Sequence, residues 1–390
     1  MICFFFWAVF FGKPPYYFLL YTVRIGLNMQ LTFPLRKYFE AQGRLSGGDS
    51  GVPVECYTDI NTEYNLLHRG VGIRDCSHYA LLDARGADVL DFLHRISTNQ
   101  LKDMKQRETR YTVFTNDKGR ILDRVQIVHN GENKILIGHP GKSEMLSHWI
   151  RRYVIMDDVQ TVSLNNEYAL LEFHGPQAAA YMILLFDRAA EELVHGVSSE
   201  LRSDGFSYLV FLRESGISRG AYRILCTVPA AEHLLSLSLE DTNSFSVGMV
   251  GETAYRAYRI EQGVHDTPEL NDRYNPLEAV LGSDISFSKG CYIGQEVIAR
   301  LDTYAKVQRK LVGFTLEHQS NHSVPMQLVD HEGNEAGEVT DTVFSPRLGK
   351  DIGIGYVRNA FVPGTETDHP QLYVKGNGKS AVTVTLLPMK

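Results

Sequence analysis

Lys289-Gly290-Cys291-Tyr292-Ile293-Gly294-Gln295-Glu296, continued by Val297-Ile298-Ala299-Arg300, puts a lysine, a thiol, an amide, a carboxylate and two glycines into one non-repetitive stretch. A core segment would fill such a run with aliphatic residues at a period of 2 or 3.6, and a plain turn needs no thiol, amide and acid in succession. The two glycines permit positive φ, or let a ligand come close to the backbone. The stretch therefore reads as a site, centred on Cys291. Lys289 and the glycine-rich backbone would lower the pKa of that thiol if their charge and N–H groups point at the sulfur. Three roles for Cys291 stay open: a single soft ligand to a metal or cluster completed by another protein, a reversible redox thiol, or a cysteine tolerated in a tight turn. Gln295 would orient the loop through its amide, and Lys289 would bind a phosphate or carboxylate tail. Glu296 lies four residues before Arg300, so the two would pair if the segment opens a helix; a direct role in the site is the other reading.

The whole string resembles the signature of the YgfZ family, folate-binding-fold proteins related to the T-protein (aminomethyltransferase) of the glycine cleavage system. That signature is Lys-Gly-Cys-aromatic-x-Gly-Gln-Glu with a basic residue four positions on, and every position matches here. The resemblance runs from about Gly51 to Pro388. Gly72-Ile73-Arg74-Asp75-Cys76-Ser77-His78 is similar to a T-protein Gly-Leu-Phe-Asp-Val-Ser-His segment. Arg110-Tyr111-Thr112, with Thr115 to Asp123 after it, is similar to that family's Tyr-Thr strand and Gly-Gly turn. Tyr258-Arg259-Ile260-Glu261-Gln262-Gly263 resembles its Leu-Arg-Leu-Glu-Ala-Gly helix, which helps hold the folate.

Two departures separate the chain from the T-proteins themselves. The turn there ends in Asp-Asp, and the second acid, placed by that family beside the reactive folate nitrogen, corresponds to Arg124. The glutamate that grips the pterin ring corresponds to Arg219, so a pterin edge offering N–H donors would face another donor. The resemblance thus implies the YgfZ branch. It implies tetrahydrofolate or a derivative as ligand, with Tyr111, Arg259 and Glu261 lining its cavity and Asp123 near the mouth. It also implies a role in iron–sulfur cluster assembly or maintenance in client enzymes, with transient cluster contact through Cys291. Links to tRNA modification would follow through cluster-dependent enzymes. A folate-dependent aminomethyltransferase, or another one-carbon transferase using Asp123, is the alternative, and a scaffold that has lost folate is a third. Turnover is not established by any of these residues.

Away from these motifs the chain has an ordinary composition: 390 residues, 44% hydrophobic, 22% charged, with a net charge of -7. Two or three domains fit that length. The acidic balance and the lack of a long basic run argue against direct nucleic-acid binding. Cys3, Cys56, Cys76, Cys226 and Cys291 form no CxxC spacing, so a reducing cytoplasm is the expected setting and no resident metal site is expected. His318 and His322 have a four-residue spacing but sit in a loop-like run, and Asp157-Asp158 would point apart. The apolar stretch from Met1 is broken at Pro14-Pro15, leaving no uninterrupted membrane span. It reads as a start assigned too early, Met29 being the first residue, with a membrane-associating segment as the other reading.

From Met29 onward strands and helices alternate irregularly, which predicts an α+β fold. Leu31 to Ala41 is helix-like, helical 3-4 spacing marks Gly86 to Ile96, and helices are also expected over Lys142 to Tyr153 and Pro176 to Phe186. Strands are expected at Ala80 to Leu82, Arg110 to Thr115, Ile121 to Val128, Ile135 to Gly138, Tyr168 to His174, Tyr208 to Leu212 and Tyr222 to Val228. After Arg309, short apolar runs between Gly, Pro and Asn every eight to twelve residues suggest a small β-barrel or sandwich. The expected organisation is residues 29–165 and 166–305 as two α+β subdomains of a T-protein-like folate-binding domain, then a β-barrel over 309–390. A monomer is expected, with folate and iron–sulfur assembly proteins or client enzymes as partners and no membrane.

Overall fold

The structure, a computed structural model, describes residues 33–42, 52–213, 221–240, 244–316 and 323–389. The expectations for residues 1–28, Arg219, His318 and His322 lie outside the described residues. In chain order the first elements are α1 (Arg36–Ala41), α2 (Ile60–Arg69), β1 (Val71–Asp75), β2 (Ala80–Arg85), α3 (Val89–Ile96), β3 (Thr109–Thr115), β4 (Ile121–Asn130), β5 (Asn133–Gly138), α4 (Ser143–Tyr153) and β6 (Gln160–Ser163). They are followed by β7 (Tyr168–His174), α5 (Ala178–Phe186), β8 (Ser198–Ser203), β9 (Phe206–Arg213), β10 (Ala221–Thr227), α6 (Val228–Glu240), β11 (Val247–Met249), α7 (Glu252–Gln262) and α8 (Gln295–Thr303). Last come β12 (Arg309–Leu316), β13 (Met326–Val329), β14 (Glu335–Ser345), β15 (Lys350–Arg358), β16 (Gln371–Val374) and β17 (Asn377–Thr385).

Two sheets face each other. One is ordered β3-β4-β5-β2-β6 and the other β11-β1-β7-β10-β9-β8. The outer face of the first carries α3 and α4: Val89, Phe92, Leu93 and Ile96 share one helical face and pack with Leu146 and Ile150 on Val125, Ile127 and Leu136. Each such fully buried side chain contributes roughly 1.5–3 kcal/mol of apolar burial. The outer face of the second sheet is covered by α5 and α6 through Tyr181, Met182, Ala231, Leu234 and Leu235. Between the sheets lie Leu81, Val128, Ile135 and Ile137 from one side and Leu170, Leu209, Phe211 and Leu225 from the other.

The boundary between the two lobes differs from the expected break at residue 165. β1 pairs antiparallel with β7 and parallel with β11, so residues 71–75 belong to the second sheet although the first sheet follows them in sequence. Its run Val71-Gly72-Ile73 is too short to announce its partner, and pairing across the lobes decides its place.

The strands after residue 309 close into a barrel, β12-β15-β14-β13-β16-β17. Its interior is Val312, Phe314, Val339, Val357, Val382 and Val384, while Leu311, Ile354, Tyr356 and Met389 join Val113, Ile121 and Ile260 in a second core beneath it. Closure removes exposed strand edges. Among the described residues no helix is long and apolar enough to cross a membrane.

Candidate functional site

Period-2 alternation sends Ile73, Leu171, Phe173, Val210 and Ile224 into the outer core of the second sheet. The residues between them must then point inward. Arg74 stands opposite Glu172, and Glu172 opposite Arg223, in register on three neighbouring strands. Glu172 is fully buried and accepts from Arg223 Nε at 2.9 Å and from Arg213 Nη1 at 3.2 Å, with Arg74 Nη1 3.6 Å away. Against the opposing pull of burial, Arg213 and Arg223, with His174, hold its carboxyl well below the usual carboxylate range. Arg74 also donates to Glu252 of α7 at 2.8 Å and lies 3.9 Å from the Tyr255 ring centroid.

From the opposite sheet, Gln126 Oε1 accepts from Arg223 at 2.9 Å and from the Tyr111 hydroxyl at 3.1 Å, while its amide donates to Leu212 O. Tyr111 therefore does face the inter-sheet space. Arg124 shares that face, its guanidinium carbon 3.8 Å from the Tyr111 centroid and its Nε 2.6 Å from Asp284 Oδ2. At the wall of this space, His78 stacks on Phe33, with ring centroids 5.2 Å apart. Burial, aided by Arg74, pushes its pKa down to about 3, and both ring nitrogens are buried without a hydrogen-bond partner among the described residues.

Asp123 points the other way. It shares the outer-face alternation of Val125 and Ile127, is fully buried, and accepts from Arg124 N at 2.9 Å and His139 N at 3.0 Å, with the His139 ring at 2.7 Å. Alternation along β4 thus brings Arg124, not Asp123, to the space that Tyr111 lines.

Arg259 and Glu261 lie elsewhere. Arg259 reaches Glu269 at 3.0 Å and also binds Asp341 of β14. Glu261 accepts from the Tyr64 hydroxyl at 2.6 Å, Ser345 Oγ at 2.5 Å and Arg347 Nε at 3.1 Å. Three of these partners belong to the barrel or the turn beside it, so both α7 residues fasten the barrel to the α+β body. The resemblance of Tyr258 to Gly263 to a folate-holding helix implied a ligand here; in the structure Asp341, Ser345 and Arg347 take these two side chains.

The motif loop is pinned from three directions. Lys289 donates to the carbonyls of Ser97 at 2.7 Å and Asn99 at 2.9 Å, and also to that of His94, capping the C-terminal end of α3. Burial pushes its pKa down to about 8. Its three donors are spent on backbone, which replaces the anion-binding role expected for it. Thr115 Oγ1 donates to Ile293 O at 2.6 Å. Gly294, at φ +81°, rests on the β3–β4 turn: a Cβ there would meet Asn116 O at 2.5 Å and Gly119 Cα at 2.9 Å. Tyr292 and Ile298 are buried with Ile285. Around a Cβ built on Gly290 there is open space, and Cys291 beside it is exposed, whereas Cys76 and Cys226 are buried. Gln295 is half-buried at the start of α8, and Glu296 and Arg300 are exposed on it; among the described residues no ion pair joins them. The described residues contain no group of three or more His, Cys, Asp or Glu able to hold a metal ion. The inward arginines and His78 were missed from sequence; a charged residue in alternation with the outward aliphatics of a strand marks each one singly, but only the register brings them together.

Two facing sheets with a polar layer between them, a barrel fastened over one end and an exposed thiol on a pinned loop define an α+β protein of two sheets and a closing barrel. The GCVT N-terminal domain model matches residues 32–289, and the glycine cleavage T-protein C-terminal barrel domain matches residues 309–389. The chain belongs to the glycine cleavage T-protein family. Similar curated proteins include the aminomethyltransferase of Chloroherpeton thalassium, 26% identical over 84% of this chain and 91% of that protein. That of Flavobacterium psychrophilum is 27% identical over 80% and 86%. The crystal structure of glycine cleavage system aminomethyltransferase T from Bartonella henselae shares the fold, with a TM-score of 0.78 and 23% identity over 92% of this chain and 98% of that one.

Proposed function

We propose that this chain is a YgfZ-type member of the family that supports assembly or maintenance of iron–sulfur clusters in client enzymes, with Cys291 as its working group. The observation that carries the reading is an exposed thiol held on a loop whose lysine, glycine and threonine contacts fix its place, with bare backbone at Gly290 beside it. A lone thiolate is one soft ligand, so the remaining ligands must come from the cluster's donor or recipient. Assembly proteins and client enzymes, among them cluster-dependent tRNA-modifying enzymes, are the proposed partners, met in the cytoplasm by a monomer.

Tetrahydrofolate is the proposed small-molecule ligand, in the inter-sheet space. The neutral His78 ring offers one unmatched donor and one unmatched acceptor, as a polar heterocycle would require. His78, Tyr111 and Arg223 are the residues that would hold it, and a reduced pterin supplies nitrogen able to carry a one-carbon group. Folate-dependent one-carbon transfer is the second reading, favoured by the aminomethyltransferase relatives. Asp123 is its carboxylate, and its turn toward His139 weighs against that role.

The test is the activity of cluster-dependent enzymes in cells lacking the gene, rescued by the chain from Met29 or by its Cys291→Ala variant. Rescue confined to the thiol-bearing form supports the proposal. Full rescue by Cys291→Ala sinks it, and folate-dependent transfer abolished by Asp123→Asn would install the second reading.

A further inference from the structure

Among the described residues, one face of α4 is left without a partner. Leu122, Glu144, Met145, His148, Trp149 and the Arg151-Arg152 pair line an open groove of about 760 Å³. Positions 145, 148, 149 and 152 fall on one helical stripe. The floor is apolar, made of Leu122, Met145 and Trp149, and the Trp149 indole N–H is buried without an acceptor among the described residues. Arg152 lies over the Trp149 and Tyr153 rings at 5.9 and 5.7 Å. Past the helix end, Ile155 is 86% exposed and Met156 93%.

The motif loop is tied to the strand that supplies Leu122: Thr115 Oγ1 donates to Ile293 O, and Thr115 pairs with Ile121 next to Leu122. Ile293 packs on the same core as Leu122, Met145 and Trp149. Cys291 is two residues away, at most about 7 Å of backbone. The rim carries Arg151, Arg152 and the exposed His148 against the single carboxylate of Glu144, on a chain whose net charge is -7. No ion pair neutralises Arg151 or Arg152 among the described residues, and the nearest acid beyond the helix, Asp157, is bound to Arg95.

We infer that this groove is a docking site for an acidic amphipathic segment of a partner protein, seated so that the partner's own thiols arrive at Cys291. The inference rests on the proposed role of Cys291 for its purpose, but not for its binding chemistry. An apolar ridge fills the floor and covers Trp149, and flanking carboxylates pair with Arg151 and Arg152. Charge complementarity at the rim speeds encounter and fixes orientation, while the apolar floor supplies the holding contact.

The experiment uses the full chain and two synthetic helical peptides with the same leucine and phenylalanine ridge, one flanked by glutamates and one by lysines. Each carries a cysteine activated as a mixed disulfide with thionitrobenzoate. The Cys291 thiolate attacks the peptide sulfur, the peptide–thionitrobenzoate S–S bond breaks, and coloured thionitrobenzoate leaves with the electron pair. Cys291→Ala supplies the background from other thiols. The expected result is Cys291 capture at least tenfold faster with the acidic peptide than with the basic one. R151E/R152E should remove that advantage while leaving reaction with a small aromatic disulfide unchanged. A matching Trp fluorescence shift should persist in Cys291→Ala. Equal rates for the two peptides, or an unchanged rate in R151E/R152E, would overturn the inference. Directed capture that survives alongside full rescue of cluster enzymes by Cys291→Ala would leave the docking site standing and remove only the cluster role.

Discussion

The two motif glycines make opposite predictions under the same substitution. Gly294 has φ +81°, and an alanine Cβ there would sit 2.5 Å from Asn116 O, 2.9 Å from Gly119 Cα and 3.0 Å from Gly119 N. All three are backbone atoms of a tight turn in which Asn116 Oδ1 already accepts from Lys118 N and Arg120 N, so no rotamer change relieves the clash. The left-handed conformation costs roughly 1 kcal/mol for alanine, and displacing packed backbone adds about 1–3 kcal/mol. Gly294→Ala should therefore lose about 3 kcal/mol. Spread over 390 residues at about 2.1 cal/mol/K each, that lowers Tm by on the order of 4 °C in a cooperative transition. The strain also falls on the loop that carries Cys291, so thiol labelling by a small reagent should change rate. Gly290→Ala meets open space and should leave Tm within about 1 °C. Calorimetry and labelling on the two variants side by side decide the matter. If Gly294→Ala melts with the parent chain, or Gly290→Ala falls as far, the account of the loop as docked backbone on backbone is wrong.

Lys289→Met should cost roughly 2–4 kcal/mol, because it strips three carbonyls at the end of α3 of a charged donor; a denaturant midpoint shift worth under about 1 kcal/mol would contradict this. Asp284→Asn removes the carboxylate charge facing the buried Arg124 guanidinium and should lose about 3–5 kcal/mol, whereas R124L/D284L should recover most of it; a double-mutant cycle with no coupling would refute the pair. His78 and His265 are both held near pKa 3 by burial, below the 6.5 of the unfolded chain. The unfolded state then binds more protons between pH 6.5 and 3, so stability falls as pH drops through that window, by about 2 kcal/mol per ring at pH 5. Stability measured from pH 7 to 5 should be visibly flatter in His265→Gln, and parallel curves would refute the assignment.

Much of the architecture was legible in the residues because it rests on local signals. The 3-4 spacing of Val89, Phe92, Leu93 and Ile96 gave α3, and the turn at Asn116 to Gly119 gave the β3–β4 hairpin. Regular apolar runs after Arg309 gave the barrel. What stayed hidden depends on contacts distant in sequence. Glu261 and Arg259 have the same helical phase whether they face a ligand or Ser345 and Asp341, and only the docked barrel distinguishes the two. Lys289 looks like a free cation until α3 is placed under it. The inward set of Arg74, Glu172, Arg213 and Arg223 depends on strand register across both halves of the chain, which no single segment encodes.

The placement of β1 also bears on how the chain matures during synthesis. Its two neighbours, β7 and β11, end at His174 and Met249, so both edges of Val71–Asp75 stay open while the whole first sheet, finished at Ser163, is already available to fold. A nascent chain with that first lobe complete still presents an apolar strand with unpaired N–H and C=O groups, a template for wrong pairing. The lobe that emerges first is thus obliged to wait for the second, and the interval between them is when a chaperone would matter most to this protein.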